Sequence, residues 1–152
     1  MVLAAGATYL FPKTNRLIID AGTCITYDFV NAKNEYLGGA ISSGLGLRYK
    51  SVYEHTDKLP LLLPSYPDSY LGTTTKECLH AGISLGTTLE IDGFINLYKE
   101  KYTDLTIILT GGDADFLAKQ LKNIIFANQN FLAESLCAIF YNNISHDKKD
   151  PI

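Results

Sequence analysis

Short apolar runs separated by turn-forming residues dominate the first third of the chain. β-Branched and aromatic residues at 17–20, 24–30 and 36–41 predict three strands in succession. The polar segment 31–34 predicts the turn between the second and third strands. Small and apolar residues at 2–10, which end just before a proline, predict the end of a helix. The chain therefore opens with a helix followed by a three-stranded meander.

One long helix is predicted in the middle of the chain, over residues 74–101. Thr74, followed three residues later by Glu77, matches a helix-capping box. At 1.5 Å per residue the helix would be roughly 40 Å long. Gly82 and Gly86 would place two small residues on one face, either against a partner helix or within the monomer. The apolar residues at helical spacing are Leu79, Ile83, Leu85, Leu89, Ile91, Phe94, Ile95 and Tyr98.

The remaining segments predict shorter elements. A short helix is expected at 45–53, with Leu45, Leu47 and Val52 on its apolar side. The three prolines between residues 58 and 70 predict a loop. Beyond the long helix, a strand, a helix, a strand and a helix are predicted at 105–109, 114–122, 124–127 and 132–141.

This order of elements predicts an α/β fold. Three meandering strands followed by alternating helices and strands indicate a mixed sheet with helices on both faces, as in ribonuclease H-like domains. We assign residues 1–145 to this one domain and residues 146–152 to a polar, frayed tail.

Composition narrows the class of partner. The 152 residues include 47% hydrophobic and 19% charged side chains, which is typical of a globular domain. The formal net charge is −3 and the 13 Lys and Arg residues are scattered, which argues against nucleic acid or an anionic membrane as partner. No apolar run approaches the roughly 20 residues that span a bilayer, and the N-terminus lacks the basic region of a signal peptide. We therefore expect a cytoplasmic protein.

Cysteine and histidine do not suggest a metal centre. Cys24, Cys78 and Cys137 are widely spaced and odd in number, so we expect reduced, buried thiols rather than a disulfide framework. The three histidines form no ligand pair on any plausible helix face.

Four short segments rich in glycine and threonine contain the candidate chemistry. The first, Asp20-Ala21-Gly22-Thr23, predicts a hairpin tip with a carboxylate, a flexible backbone position and a hydroxyl. The others are residues 38–44, 72–77 and 110–114, and each joins a strand or loop to the start of a helix, where free amides favour anions. Each segment alone also fits an ordinary turn or helix cap. The four in this order indicate a phosphate-binding protein.

In this order the segments resemble those of the type III pantothenate kinases, and the resemblance runs from Met1 to about Tyr141. It implies one ribonuclease H-like half of an actin-like ATPase fold. It also implies the family's reaction, in which ATP phosphorylates pantothenate in the first step of coenzyme A synthesis. The cofactors implied are Mg²⁺ and a monovalent cation, K⁺ or NH₄⁺, and the family's dimer implies a homodimer.

The nucleotide side of the site follows from two matches to the family pattern. The family's Asp-x-Gly-Thr is matched at residues 20–23, which implies that Asp20 binds the monovalent cation. The turn at residues 110–114 resembles the family's adenosine-side turn. The ATP contacts implied by these two matches are Gly22, Thr23, Gly111 and Gly112.

The pantothenate side follows from the other two segments. The family's Gly-Gly-x-Ile-x-Pro-Gly is matched at residues 38–44, except that Ser43 replaces the proline and gives up a fixed φ. The family's Asn-Ser/Thr-Thr is matched at residues 73–75, with Thr73 in place of Asn. The pantothenate-side residues implied are Gly38, Gly39, Ile41, Gly44 and Thr75.

Two motifs of the family have no counterpart in the sequence. They are the Asp-x-Gly-Asn-Thr phosphate hairpin and the Gly-x-Asp-Arg that supplies the catalytic base. We therefore assign no catalytic residue, expect the base upstream of Met1, and expect this chain alone to have no appreciable kinase activity. The alternatives are a non-catalytic piece that dimerises or binds nucleotide, a transcriptional accessory factor of the same family, and an actin-like sugar kinase.

Overall fold

Five strands form one mixed sheet at the centre of the protein, in a computed structural model that describes residues 1–123 and 125–147. The strands are β1 (Asn15–Ala21), β2 (Cys24–Val30), β3 (Tyr36–Ser43), β4 (Leu105–Thr110) and β5 (Phe126–Ala127). Their order across the sheet is β3-β2-β1-β4-β5. β2 is antiparallel to both of its neighbours, whereas β1, β4 and β5 run parallel. This is the order and direction of strands in a ribonuclease H-like fold, so the predicted fold class is confirmed.

Helices cover both faces of the sheet, as predicted. One face carries α2 (Leu45–Glu54), α3 (Thr75–His80), α4 (Gly86–Lys101) and α5 (Ala114–Ala118); the other carries α1 (Val2–Leu10) and α6 (Phe131–Asp147). Alternation along β1 divides the core between the two faces, because Leu17 and Ile19 point towards α4 while Ile18 points towards α1. All three side chains are fully buried, and each such burial contributes about 1.5–3 kcal/mol.

The long central helix is confirmed, with one irregular turn. α3 and α4 are joined by a π-helical turn (Ala81–Leu85), so residues 75–101 form one continuous helical segment. The predicted capping box is present: the Glu77 amide donates to Thr74 Oγ1, and the Thr74 amide donates to Glu77 Oε2, both at 3.2 Å. A Cβ at Gly82 would meet no atom within 4 Å, so the alternative that Gly82 packs within the monomer is wrong.

Several predicted bounds differ from the structure. β3 extends through Ser43, so most of the glycine-rich segment 38–44 is strand. α5 ends at Ala118 rather than at residue 122, because the buried Asp92 carboxylate accepts hydrogen bonds from the amides of Lys122 and Asn123. α6 extends to Asp147, six residues past its predicted end. Ile124 of the predicted strand 124–127 and residues 148–152 of the predicted tail lie outside the described residues.

The predicted core differs at a few positions. Leu47 and Leu89 are exposed, at 43% and 54%. Tyr49 is buried instead, because its hydroxyl lies 2.7 Å from His80 Nδ1 and 2.8 Å from Ser84 Oγ. The three cysteines are free thiols but exposed, so the prediction of buried thiols is wrong. No helix among the described residues is long and apolar enough to cross a bilayer.

Candidate functional site

The β1–β2 hairpin and the β4–α5 turn meet at one edge of the sheet. β1 and β4 are parallel and in register, so Asp20 and Thr110 lie side by side at their carboxyl ends. The amide of Asp113 donates to the carbonyl oxygen of Ala21 at 2.9 Å, which joins the two turns directly. In parallel sheets this edge is where ligands commonly bind.

Gly111 lets the two turns approach closely. Its φ is +97°, a left-handed conformation that side chains rarely adopt. A Cβ at this position would lie 2.5 Å from Asp20 Oδ1 and closer still to the Ala21 carbonyl oxygen. The Asp20 carboxylate therefore lies directly against the backbone of the β4–α5 turn.

A third segment reaches the same place from β3. The amide of Gly44 donates to the carbonyl oxygen of Thr23 at 2.9 Å. A Cβ on Gly44 would lie 2.8 Å from that same oxygen and closer still to the carbonyl oxygen of Gly22. The β3–α2 junction is thus fastened to the tip of the hairpin, where only glycine fits.

Two cavities flank the β4–α5 turn and share Gly112. The larger, of about 720 Å³, is lined by Gly22, Thr23, Gly46, Leu47, Lys50, Pro64, Gly112 and Asp113. The smaller, of about 280 Å³, is lined by Leu3, Asp20, Thr110, Gly111, Gly112, Gln129, Asn130 and Leu132. Five of the predicted site residues, Asp20, Gly22, Thr23, Gly111 and Gly112, therefore line these two cavities.

The two cavities differ in charge. Among the described residues that line the larger cavity, Lys50 is the only cation, and its Nζ lies 3.5 Å from Glu54 Oε1 on the same helix. The smaller cavity contains the Asp20 carboxylate, whose pKa is raised by burial and by the nearby charge of Asp28. Burial also raises the pKa of the Asp113 carboxyl in the larger cavity. The larger cavity therefore offers one positive charge, that of Lys50, beside the Asp113 carboxyl, whereas the smaller one suits a cation or an uncharged polar group.

The pantothenate-side residues are more dispersed. Gly44 is buried at the hairpin, whereas Gly38 and Gly39 lie towards the other end of β3, opposite Phe29 and Asp28. Ile41 is 76% exposed on the same strand. Thr75 is exposed at the first turn of α3 and lines neither cavity. The fold brings only Gly44 of this set to the hairpin.

Sequence reasoning missed three polar residues that line the cavities and lie outside the four segments. Lys50 lies on α2, which begins directly after Gly44. Its place in the helix that follows the glycine-rich segment could therefore have marked it as a site residue. Gln129 and Asn130 precede α6, and their place beside Asp20 depends on β5 lying next to β4. No local pattern indicates that contact.

Comparisons with known proteins agree with the motifs. The family model for type III pantothenate kinases matches residues 1–97. A type III pantothenate kinase from Flavobacterium johnsoniae is 56% identical over 147 residues, which cover 97% of this chain and 60% of the relative. One from Bacteroides fragilis is 40% identical and covers 94% of this chain and 59% of the relative. The chain spans about 60% of the length of these relatives.

Solved structures support the fold. A conserved Baf family protein from Campylobacter jejuni superposes with a TM-score of 0.64 at 22% identity, over 95% of this chain and 65% of that one. The ethanolamine utilization protein EutJ from Carboxydothermus hydrogenoformans superposes with a TM-score of 0.50 at 12% identity, over 91% of this chain and 54% of that one. The architecture is that of an actin-like ATPase half. With the family model matching well over half of the sequence, the chain belongs to the type III pantothenate kinase family.

Proposed function

We propose that this chain forms the nucleotide- and substrate-binding C-terminal half of a pantothenate kinase, which transfers a phosphoryl group from ATP to pantothenate in the first step of coenzyme A synthesis. One observation carries the proposal: three of the four glycine- and threonine-rich segments, far apart in the sequence, meet at the tip of the β1–β2 hairpin. A carboxylate, a hydroxyl and main-chain amides from three segments therefore lie at one edge of the sheet.

The larger cavity suits the phosphates of ATP. Its volume of about 720 Å³ lies within the range of small-molecule pockets. Gly22 and Thr23 offer main-chain amides and a hydroxyl, and Lys50 supplies a positive charge that would neutralise phosphate oxygens. ATP, when bound with Mg²⁺, would supply the phosphoryl group. Mg²⁺ in nucleotide sites is usually held by the phosphates together with one or two carboxylates.

Asp20 suits the monovalent cation. Its carboxylate is half-buried against Gly111, and within the described residues its side chain forms no hydrogen bond. Burial and the charge of Asp28 raise its pKa, so a cation in the smaller cavity would relieve an unfavourable charge. Carboxylate, hydroxyl and carboxamide oxygens are the ligands that hard cations prefer, and Asp20, Thr110 and Asn130 line this cavity.

Pantothenate contacts are proposed at the residues that the family pattern marks, namely Gly38, Gly39, Ile41, Gly44 and Thr75. Their separation in this chain suggests that a second surface completes that site. A homodimer is proposed on the same grounds, with the open glycine positions of residues 82–93 as the helix surface that a partner helix would cover. Light scattering at high chain concentration should then give twice the chain mass of 16.8 kDa, whereas a single chain mass at that concentration would contradict the dimer.

A chimera tests the function directly. The segment of the Flavobacterium johnsoniae relative that aligns with this chain is replaced by it. We expect ATP-dependent formation of phosphopantothenate within about tenfold of the relative's own rate, since the two segments are 56% identical. The 152-residue chain alone should show no appreciable turnover. A folded chimera that binds ATP and forms no product would overturn the kinase proposal and favour a nucleotide-binding or dimerisation piece.

A further inference from the structure

A charged cluster away from the two cavities joins four elements of the fold. Arg48 Nη2 on α2 lies 2.6 Å from Glu90 Oε2 on α4, and the side chains are only 20% and 26% exposed. The other carboxylate oxygen, Glu90 Oε1, accepts hydrogen bonds from Ser42 Oγ on β3 at 2.5 Å and from the Tyr27 hydroxyl on β2 at 3.2 Å. One carboxylate thus holds groups from two strands and a second helix.

The cluster is well satisfied and held rigidly. The ring of Tyr27 stacks on Phe94 with centroids 4.3 Å apart, which fixes β2 against α4 one turn beyond Glu90. Burial raises the pKa of the Glu90 carboxyl, but hydrogen bonds from Ser42 and Arg48, together with the Arg48 charge, outweigh that effect and hold the pKa below its usual value. Charge-assisted hydrogen bonds of this kind are stronger than neutral ones.

The cluster reaches the candidate site through the main chain. Arg48 Nε donates to the carbonyl oxygen of Ser43 at 2.8 Å. The next amide along the chain, that of Gly44, donates to the Thr23 carbonyl oxygen at 2.9 Å. A continuous chain of contacts therefore runs from Glu90 through Arg48 and the Ser43–Gly44 peptide to the hairpin tip.

This arrangement adds a side-chain restraint to a peptide that is otherwise held by main-chain contacts to β2, to the hairpin tip and to the first turn of α2. Ser43 leaves φ free at a position where a proline would fix it, and Gly44 has no side chain to pack. The planar guanidinium can serve the carbonyl through Nε and the carboxylate through Nη2 at the same time. A lysine has a single nitrogen and could not make both contacts in this geometry.

We propose that Glu90 and Arg48 are positioning residues for the β1–β2 hairpin: their ion pair fixes the Ser43–Gly44 peptide, which in turn fixes Thr23 for nucleotide binding. The inference rests on the proposed function for its ligand, ATP. Its structural half, the restraint on Gly44, is independent of any ligand.

Two readouts on the 152-residue chain test the two halves separately. Amide hydrogen exchange at Gly44 reports the hydrogen bond to Thr23, with Ile108 in the core of β4 as the internal reference. The dissociation constant of Mg·ATP, measured by titration, reports whether the hairpin tip is positioned for nucleotide binding. We expect Glu90→Gln to speed exchange at Gly44 about tenfold, leave Ile108 unchanged, and weaken ATP binding about five- to tenfold. Arg48→Lys should behave in the same way.

Two controls separate positioning from general loss of stability. Glu100→Gln makes the same substitution at an exposed site on α4 and should change neither readout. Ile95→Val opens space in the core of α4, lowering the melting temperature without touching the cluster. Unchanged Gly44 exchange in Glu90→Gln, or a loss of ATP affinity no larger than in Ile95→Val, would overturn the inference. If the unmodified chain binds no ATP, nucleotide binding fails as a proposed function, and Gly44 exchange alone decides whether the ion pair restrains the peptide.

Discussion

The Asp20 carboxylate lies against the backbone of Gly111, so closely that a Cβ on Gly111 would sit 2.5 Å from Asp20 Oδ1. β1 and β4 bring the two residues together because they are parallel neighbours with Asp20 in register with Thr110. A carboxylate and a turn that are separated by most of the chain thus form one surface.

Gly111→Ala should destabilise the chain by about 2 kcal/mol or more, since a side chain there combines a left-handed φ of +97° with a clash against β1. The matched control is Gly112→Ala, because a Cβ at Gly112 would meet no atom within 4 Å and its φ is not left-handed. Urea unfolding of both variants measures the difference. Equal midpoints would show that the close approach of the two turns is not formed.

Asp20→Asn should stabilise the free chain while removing its response to K⁺. Burial and Asp28 raise the pKa of Asp20, so the folded state holds its proton to higher pH than the unfolded state does. The stability that the protonated Asp20 carboxyl contributes is therefore lost as pH rises through its pKa in the folded state. Asparagine cannot ionise, so the Asp20→Asn variant does not lose this stability. Melting temperatures at pH 7.5 in KCl and in choline chloride measure both effects.

The control for Asp20→Asn is Asp115→Asn, at an exposed position outside both cavities. It should keep the K⁺ response of the unmodified chain. A K⁺-dependent rise in melting temperature that survives in Asp20→Asn would place the cation elsewhere.

The elements that the sequence predicted well are those whose signals are local. The helix at 2–10, the strand at 24–30 and the capping box at Thr74 and Glu77 were predicted at their observed positions, because apolar spacing and cap chemistry depend on a few neighbouring residues. The early end of α5 was missed because Asp92, on a distant helix, binds the amides that would have continued it.

The residues in and around the candidate site also fall into two groups, those that a local sequence pattern marks and those that only the fold brings together. Asp20, Gly22 and Thr23 could be found in the sequence because a carboxylate, a glycine and a hydroxyl follow one another in a hairpin. The Arg48–Glu90 ion pair joins residues 42 positions apart, and no local pattern marks either partner. Leu47 was misassigned to the core because the apolar side of α2 was judged by hydrophobicity, whereas Tyr49 takes that place through its hydrogen bonds to His80 and Ser84.

Gly93→Ala should stabilise the monomer. Gly93 lies in the interior of α4 and is exposed, and a Cβ there would meet no atom within 4 Å. Alanine in a helix interior is favoured over glycine by about 0.5–1 kcal/mol, which corresponds to a rise of roughly 1–4 °C in melting temperature for a chain of this size. Thermal unfolding at a low concentration, where light scattering gives the single chain mass, provides the test. A lower melting temperature there would mean that the helix is distorted at this position.

His80→Gln should remove an acid sensitivity from the fold. His80 is 5% exposed, its Nδ1 lies 2.7 Å from the Tyr49 hydroxyl, and its buried Nε2 has no hydrogen-bond partner among the described residues. Burial, and to a lesser extent the charge of Lys76, lowers the pKa of His80 below that of the unfolded chain. The unfolded state therefore binds the proton first, and stability falls as pH drops below about 6.5, the ordinary histidine pKa.

Urea unfolding between pH 7.5 and pH 5 measures this dependence. The unmodified chain should lose stability across the range, and His80→Gln should lose distinctly less. His55→Gln, the same substitution at an exposed position, should retain the full dependence of the unmodified chain. If His80→Gln loses as much stability as His55→Gln, another group causes the acid sensitivity. His80 would then bind a proton as readily in the folded state as in the unfolded chain.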